Sequence, residues 1–257
     1  IWGGSFKRAR AELGVTAFGL GVFDLPPNVD RIPRHVHTFD GQEEVYVPLQ
    51  GGGTIELGAS SVPLDMQTAV RVGPTVSRTV TSGPEGIRVL IAGGTPGEAY
   101  RAFAQMERGA PEPDPAELPG IRAAEAHESS DDFTVARFDP ADAFSGHRKG
   151  VTFHAFGRRL GTSAFGISMV ELDGPEAASD YPLHSHAEDD QVEVFIAAEG
   201  DGAIVVDGQA IDFKTGEMVA VDPSAQRTLI AGPEGLRFFV IGAPANAPYA
   251  GSNPTIG

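Results

Sequence analysis

The chain has 257 residues, enough for one large domain or two of ordinary size, and either can bury a substantial core. Its formal net charge of −16, from 35 acidic against 19 basic residues, argues against nucleic-acid or anionic-membrane partners, which require basic patches. No cysteine is present, which excludes disulfides, thiolate metal sites and cysteine nucleophiles and fits a cytoplasmic location; no apolar run is long enough to span a bilayer, so a soluble chain is expected.

In chain order, the first informative stretch is RHVHTFDGQEEVYV, residues 34–47. Residues i and i+2 of a strand share a face, so His35 and His37 can reach a common point. Glu44 joins them from the following β-rich run, Glu44 to Val47, if the five residues 38–42 form a turn. Gly51-Gly52-Gly53 reads as a tight turn after that strand, and Gly83-Pro84-Glu85-Gly86 as a hairpin connection. From Glu98 to Arg108 the pattern predicts a helix, with Ala99, Phe103 and Met106 on one face and Gly109 as its stop. The proline-rich APEPDPAELPG that follows reads as an exposed, extended connector. A predicted strand over Phe133–Phe138 is expected to open a second unit. There LHSHAEDDQVEVFI, residues 183–196, repeats the earlier arrangement with His184, His186 and Glu193. Further β-rich runs follow at Ala203–Val206, Met218–Val221 and Leu236–Ile241.

The repetition extends well beyond the histidines. A shift of 149 residues aligns Pro33–Gly93 with Pro182–Gly242 without a gap. About a third of the positions are identical, too many for chance over such a length. Upstream, LGVTAFG at 13–19 matches LGTSAFG at 160–166. The expected organisation is a tandem duplication, with barrels at 1–95 and 131–257 and a helix plus linker at 96–130. Many short strands at close spacing indicate an all-β sandwich or barrel in each half.

Two imidazoles and a carboxylate on one side of a metal make a facial triad, the arrangement typical of non-haem iron and open also to manganese, zinc, nickel or cobalt. One His-x-His is weak evidence. Two, each followed at the same distance by a glutamate and then by Gly51 or Gly200, point to a shared chemistry. This pattern resembles the first motif of the cupin superfamily, and two such units in one chain resemble a bicupin. The resemblance covers residues 13–94 and 160–243 and implies two tandem double-stranded β-helix barrels, jelly-roll-like, each holding a metal through three histidines and a glutamate.

The chain departs from that pattern twice. Six residues separate the second histidine from Glu44 and from Glu193, where three or four are usual; Gln42 and Gln191 occupy the shorter spacing and are second-choice ligands. At the place of the third histidine stand Arg78 and Arg227. Arginine is always cationic and cannot ligate a metal. Either it turns away and leaves a three-ligand site with open positions, or it pairs with the glutamate and replaces the metal's charge.

Tyr46 is expected beside the first site, as core packing or as a proton or hydrogen-bond donor; Phe195, its counterpart, is expected in the core. With Arg78 and Arg227, Tyr46 completes the catalytic candidates. His127, His147 and His154 are isolated and read as exposed or structural. Three functions fit: a metal-dependent bicupin, most concretely a dioxygenase-like enzyme on small molecules; a non-catalytic and metal-free small-ligand binder; and a metal-free isomerase. The expected partner is a small molecule, and the chain can be a monomer or a homo-oligomer.

Overall fold

A computed structural model of the chain describes residues 5–30, 32–111, 114, 118–124, 128–138, 150–174, 181–251 and 255–256. It divides into two compact units, residues 1–138 and 139–257, each built around its own antiparallel sheet. Among the described residues no helix is long and apolar enough to cross a membrane.

The first unit contains β1 (Phe6–Lys7), α1 (Ala9–Leu13), β2 (Gly19–Leu25), β3 (Glu43–Leu57), β4 (Ser60–Leu64), β5 (Thr68–Val72), β6 (Arg78–Gly94), α2 (Pro119–Ala124) and β7 (Phe133–Arg137). The sheet runs β1-β2-β6-β3-β5-β7, with β4 also on β3. The second unit contains β8 (Val151–His154), α3 (Phe156–Leu160), β9 (Gly166–Leu172), β10 (His184–Ser185), β11 (Gln191–Val206), β12 (Gln209–Lys214), β13 (Met218–Val221), β14 (Arg227–Pro244) and β15 (Thr255–Ile256). Here β11 and β14 form the central pair, as β3 and β6 do in the first unit.

These long strands wrap the core because each bends where its pairing register slips. In the first unit the register slips between Pro48 and Gln50 and again between Gly51 and Gly53, and in the second between Ala197 and Glu199 and again between Gly200 and Gly202. Gly51 (φ +69°) and Gly200 (φ +81°) adopt a conformation costly for other residues, and a Cβ on either would collide with the carbonyl of Gly86 or Gly235. The glycine run 51–53 therefore lies inside β3 and is not a turn after it. Likewise Gly83–Gly86 is not a hairpin; it bulges out of β6 opposite Gly52, since pairing resumes from Gly53–Ser82 to Gly51–Ile87.

Inward side chains alternate along the bent strands. Ile87, Val89 and Ile91 of β6 are buried with Tyr46, Ile55, Leu57 and Val72, whereas Arg88 between them points out to Asp24. Phe195, Phe213, Leu229 and Phe238 fill the second unit's core, each with no exposed surface. Such side chains each contribute about 1.5–3 kcal/mol by leaving water.

Two further expectations fail. The segment Glu98–Arg108 is not an α-helix; it holds only a 3-10 turn, Ala104–Met106. The side chain of Arg10 takes the carbonyl of Met106, and that of Arg8 takes the carbonyls of Ala110 and Pro111, so an irregular backbone is satisfied from outside. Phe133–Arg137 does not open the second unit. It pairs with β5 of the first sheet, Val70 opposite Val135, and covers that strand's free edge.

Candidate metal centres

His35 and His37 lie on a short extended segment beside the start of β6. His35 exchanges backbone hydrogen bonds with Arg78, both 3.0 Å, and the His37 amide donates to the Pro74 carbonyl at 2.8 Å. The chain then reverses, with the amide of Gly41 (φ +69°) donating to the His37 carbonyl at 2.8 Å, and enters β3 at Glu43. This turn accounts for the long spacing between histidine and glutamate. The second unit repeats it: the His186 amide bonds to Pro223, and Asp190 (φ +54°) stands where Gly41 does.

Both anticipated triads converge. The donor atoms of His35, His37 and Glu44 lie within 4.8 Å of one another, as do those of His184, His186 and Glu193. His35 Nε2 is 3.4 Å from Glu44 Oε2 and His37 Nε2 is 3.3 Å from Oε1. The corresponding distances to Glu193 are 3.4 and 3.2 Å. Ligand atoms about 2.1 Å from one ion stand about 3.0 Å apart at octahedral angles and about 3.4 Å apart at tetrahedral ones. Glu43, the adjacent glutamate, points to the other face of the strand, where Arg71 Nε donates to it at 2.6 Å.

The imidazole tautomers follow from the partners of Nδ1. His35 Nδ1 lies 2.8 Å from the Pro33 carbonyl and His184 Nδ1 lies 3.0 Å from that of Pro182. A carbonyl only accepts, so Nδ1 carries the proton and in the neutral ring Nε2 presents a lone pair. His37 Nδ1 meets Asp40 at 3.0 Å and His186 Nδ1 meets Asp189 at 2.8 Å. Both aspartates in turn accept from Gln42 Nε2 and Gln191 Nε2, each at 2.6 Å. The glutamines thus hold the aspartates that orient the imidazoles.

Charge around the first triad is uneven. Burial lowers the pKa of His35 and favours its neutral ring. For His37 burial acts in the same direction but is outweighed by Glu44 and Asp40, so its pKa is raised. Burial would raise the Glu44 carboxyl, yet His37 and Arg78 hold it well below the usual range. At the second triad His184 and His186 likewise overcome burial and bring Glu193 down to about 2.

Arg78 and Arg227 are completely buried and turn toward the glutamates. Arg78 Nε is 3.1 Å from Glu44 Oε2 and Arg227 Nε is 3.3 Å from Glu193 Oε2. Neither contact is aligned as a hydrogen bond, and Arg78 Nη1 goes to the Val76 carbonyl, so the guanidinium does not fork onto the carboxylate. Tyr46 is buried and donates its hydroxyl to Glu44 Oε2 at 2.7 Å; burial and that carboxylate raise its pKa well above 10. Phe195 belongs to the core. His154 is also buried, with Nε2 3.1 Å from Glu171, while His127 and His147 lie outside the described residues.

Sequence reasoning missed two pairs. Asp40 and Asp189 each stand three residues after the second histidine, a spacing visible in both halves. Tyr100 and Tyr249 continue the 149-residue repeat past its last glycine. Each hydroxyl lies over a glycine of the barrel wall, Gly19 or Gly166, where a Cβ would approach it to 3.1 or 2.7 Å. Tyr100 lines a cavity of about 230 Å³ above the first triad, and burial pushes its pKa up to about 12.

No family model matches the chain, and no curated protein does. Solved structures match over almost its whole length. Bacillus subtilis oxalate decarboxylase superposes with a TM-score of 0.65 at 11% identity, covering 98% of this chain and 74% of the other. Procruciferin, an 11S globulin from Brassica napus, gives 0.62 at 9% identity over 93% and 78%. Salicylate 1,2-dioxygenase from Pseudoaminobacter salicylatoxidans gives 0.58 at 14% identity over 89% and 68%. These likenesses show the fold: two tandem cupin-type β-barrels in one chain.

Proposed function

We propose that this bicupin holds a divalent metal in each barrel and acts on small organic molecules, dioxygenase-like oxidation being the most concrete form. One observation carries the reading. In each unit two imidazoles with Nδ1 committed elsewhere direct Nε2 at one carboxylate, an arrangement of lone pairs and negative charge that suits a bound divalent cation. Among the solved structures of like fold, the decarboxylase has Mn(II) centres and the dioxygenase was crystallised with gentisate.

The proposed ligands are His35, His37 and Glu44, with His184, His186 and Glu193 in the second barrel. A bound divalent metal supplies Lewis acidity and, with a redox-active ion, access to dioxygen chemistry. Asp40 fixes the His37 ring, and Asp189 that of His186. Tyr46 and Arg78 hold Oε2 of Glu44, which orients the carboxylate. Tyr100 remains protonated at neutral pH and offers a hydroxyl to whatever enters from above.

Elemental mass spectrometry on protein prepared without a tag or chelator tests this, beside a His37→Ala/His186→Ala double variant. About two metals per chain, lost in the variant, are expected. The Arg78–Glu44 contact favours a second reading, a metal-free ligand binder in which arginine supplies the balancing charge. Metal absent from both proteins would establish that reading instead.

A further inference from the structure

The two units differ in what lies above their triads. In the first, the roof comes from the segment that was expected to be a helix and from the residues after it: Tyr100, Phe103, Met106, Leu118 and Ile121 line the cavity. Arg8 and Arg10 pin this roof through the carbonyls of Met106, Ala110 and Pro111. Aligning the two copies of LG-x-x-AFG puts Ala155 and Gly157 where these arginines stand, so the two pins are not repeated at those positions of the second unit. Its cavity, about 530 Å³, is framed by polar groups including Arg158, Thr162, Ser168 and Tyr249, and neither imidazole lines it.

The first cavity is mostly apolar. Phe23 and Ile91 continue the walls, and Phe39 stacks on His37 and packs at a tilt against Phe103. Among the described residues, Arg8 and Arg10 are the only cations that line the cavity. Both are occupied: Arg10 also binds the Val15 carbonyl and Glu107, and Arg8 spends its two terminal nitrogens on backbone carbonyls. Arg78 sits beneath Glu44 and does not line the space. A dianion would therefore meet a carboxylate with no unpaired arginine among the described lining residues to receive it. Polar groups that could receive a ligand, namely His35, His37, Glu44, Gln42 and the Tyr100 hydroxyl, are few among apolar walls, which is how pockets orient a mostly apolar ligand. At about 230 Å³ the volume falls below the ~300 Å³ at which drug-sized pockets begin, which suits one ring or two fused rings.

We propose that the first unit's cavity takes an uncharged, ring-bearing small molecule that presents a single hydroxyl or carbonyl to the His35, His37 and Glu44 centre. This rests on the metal-centre reading only for what the head group meets; the apolar chamber stands without it.

The probe is 2-naphthol, titrated by fluorescence against metal-loaded and chelator-stripped protein of measured metal content, with malonate as the competing small dianion. Saturable binding is expected, undisturbed by excess malonate. Met106→Trp, which fills the chamber, should weaken it at least tenfold, and Tyr100→Phe severalfold. Met66→Trp, at an exposed position outside the cavity, should not change it. Absence of saturable binding to metal-loaded protein overturns the proposal and leaves the metal centres standing, and so does displacement by malonate. Binding to protein that never holds metal retains this ligand class and sinks the metal reading. If Met106→Trp does not fold, Tyr100→Phe decides: full affinity there removes the hydroxyl contact on which the orientation depends.

Discussion

The Tyr46 hydroxyl donates to Glu44 Oε2 at 2.7 Å, and the second unit has Phe195 in its place, leaving Glu193 Oε2 buried without a hydrogen bond. The two centres therefore share a His-His-Glu set but not the support of its carboxylate. Tyr46→Phe removes one hydrogen bond to a charged acceptor, and a loss of about 1.5 kcal/mol in urea unfolding is expected. Metal affinity should fall about tenfold at the first site only, because an outer partner of one ligand is lost. Equal loss at both sites in a chelator competition would mean that the tyrosine acts through global stability.

Asp40 and Asp189 are the orienting groups common to both centres. Asp40→Asn replaces a carboxylate that can only accept with an amide that can also donate, which removes the bias toward the Nδ1–H tautomer of His37. A 10- to 100-fold loss of metal affinity at the first site is expected, with Asp189→Asn acting in the same way at the second. Unchanged stoichiometry and affinity in the double variant would show that the relay does not set the ring.

Much of this was legible in the sequence because strand periodicity and an internal repeat are local, discrete signals. His35, His37 and Glu44 follow from period two plus one turn, and the 149-residue shift places His184, His186 and Glu193 without further argument. What escaped depends on partners distant in the chain. The backbone from Glu98 to Arg108 has a helical pattern, but Arg8 and Arg10, nearly a hundred residues earlier, donate to the carbonyls of Glu107 and Met106 in another conformation. Gly51 reads as a turn because glycine usually marks one, whereas here it permits close approach to Gly86 in a bent strand. Phe133–Arg137 has strand character in any reading; its pairing with β5 is a tertiary choice that its own residues do not encode.

Away from the centres, Glu171 is held between His154 Nε2 at 3.1 Å and Arg237 Nε at 2.8 Å. Burial would raise its pKa, but these two partners overcome that and lower it below 4.5. A carboxyl depressed in the folded state contributes stability that is fully present above its unfolded pKa and is lost as pH falls through the folded value. Glu171→Gln is therefore expected to be less stable than the parent at pH 6, with the difference shrinking steadily below about pH 4.5. Denaturant midpoints measured from pH 6 to 3 check this, and a difference that does not vary with pH would assign the loss to packing.

Arg78 decides whether charge in the first barrel comes from the protein or from a metal. Its side chain has no exposed surface, and its Nε lies 3.1 Å from a carboxylate that His35 and His37 also approach. Arg78→Met keeps the unbranched apolar stem but leaves Glu44 without its fixed cation, and loss of one partner of a buried pair costs about 3 kcal/mol or more. In metal-free protein that cost should appear in full. A divalent ion supplies positive charge at the same carboxylate, so added metal should recover most of the lost stability, and affinity at the first site should rise because a repelling cation has gone. Thermal unfolding of Arg78→Met and the parent, with and without metal, reads both effects. If metal leaves the gap between the two proteins unchanged, arginine and metal do not share the carboxylate, and the metal-free reading of the first barrel gains the stronger case.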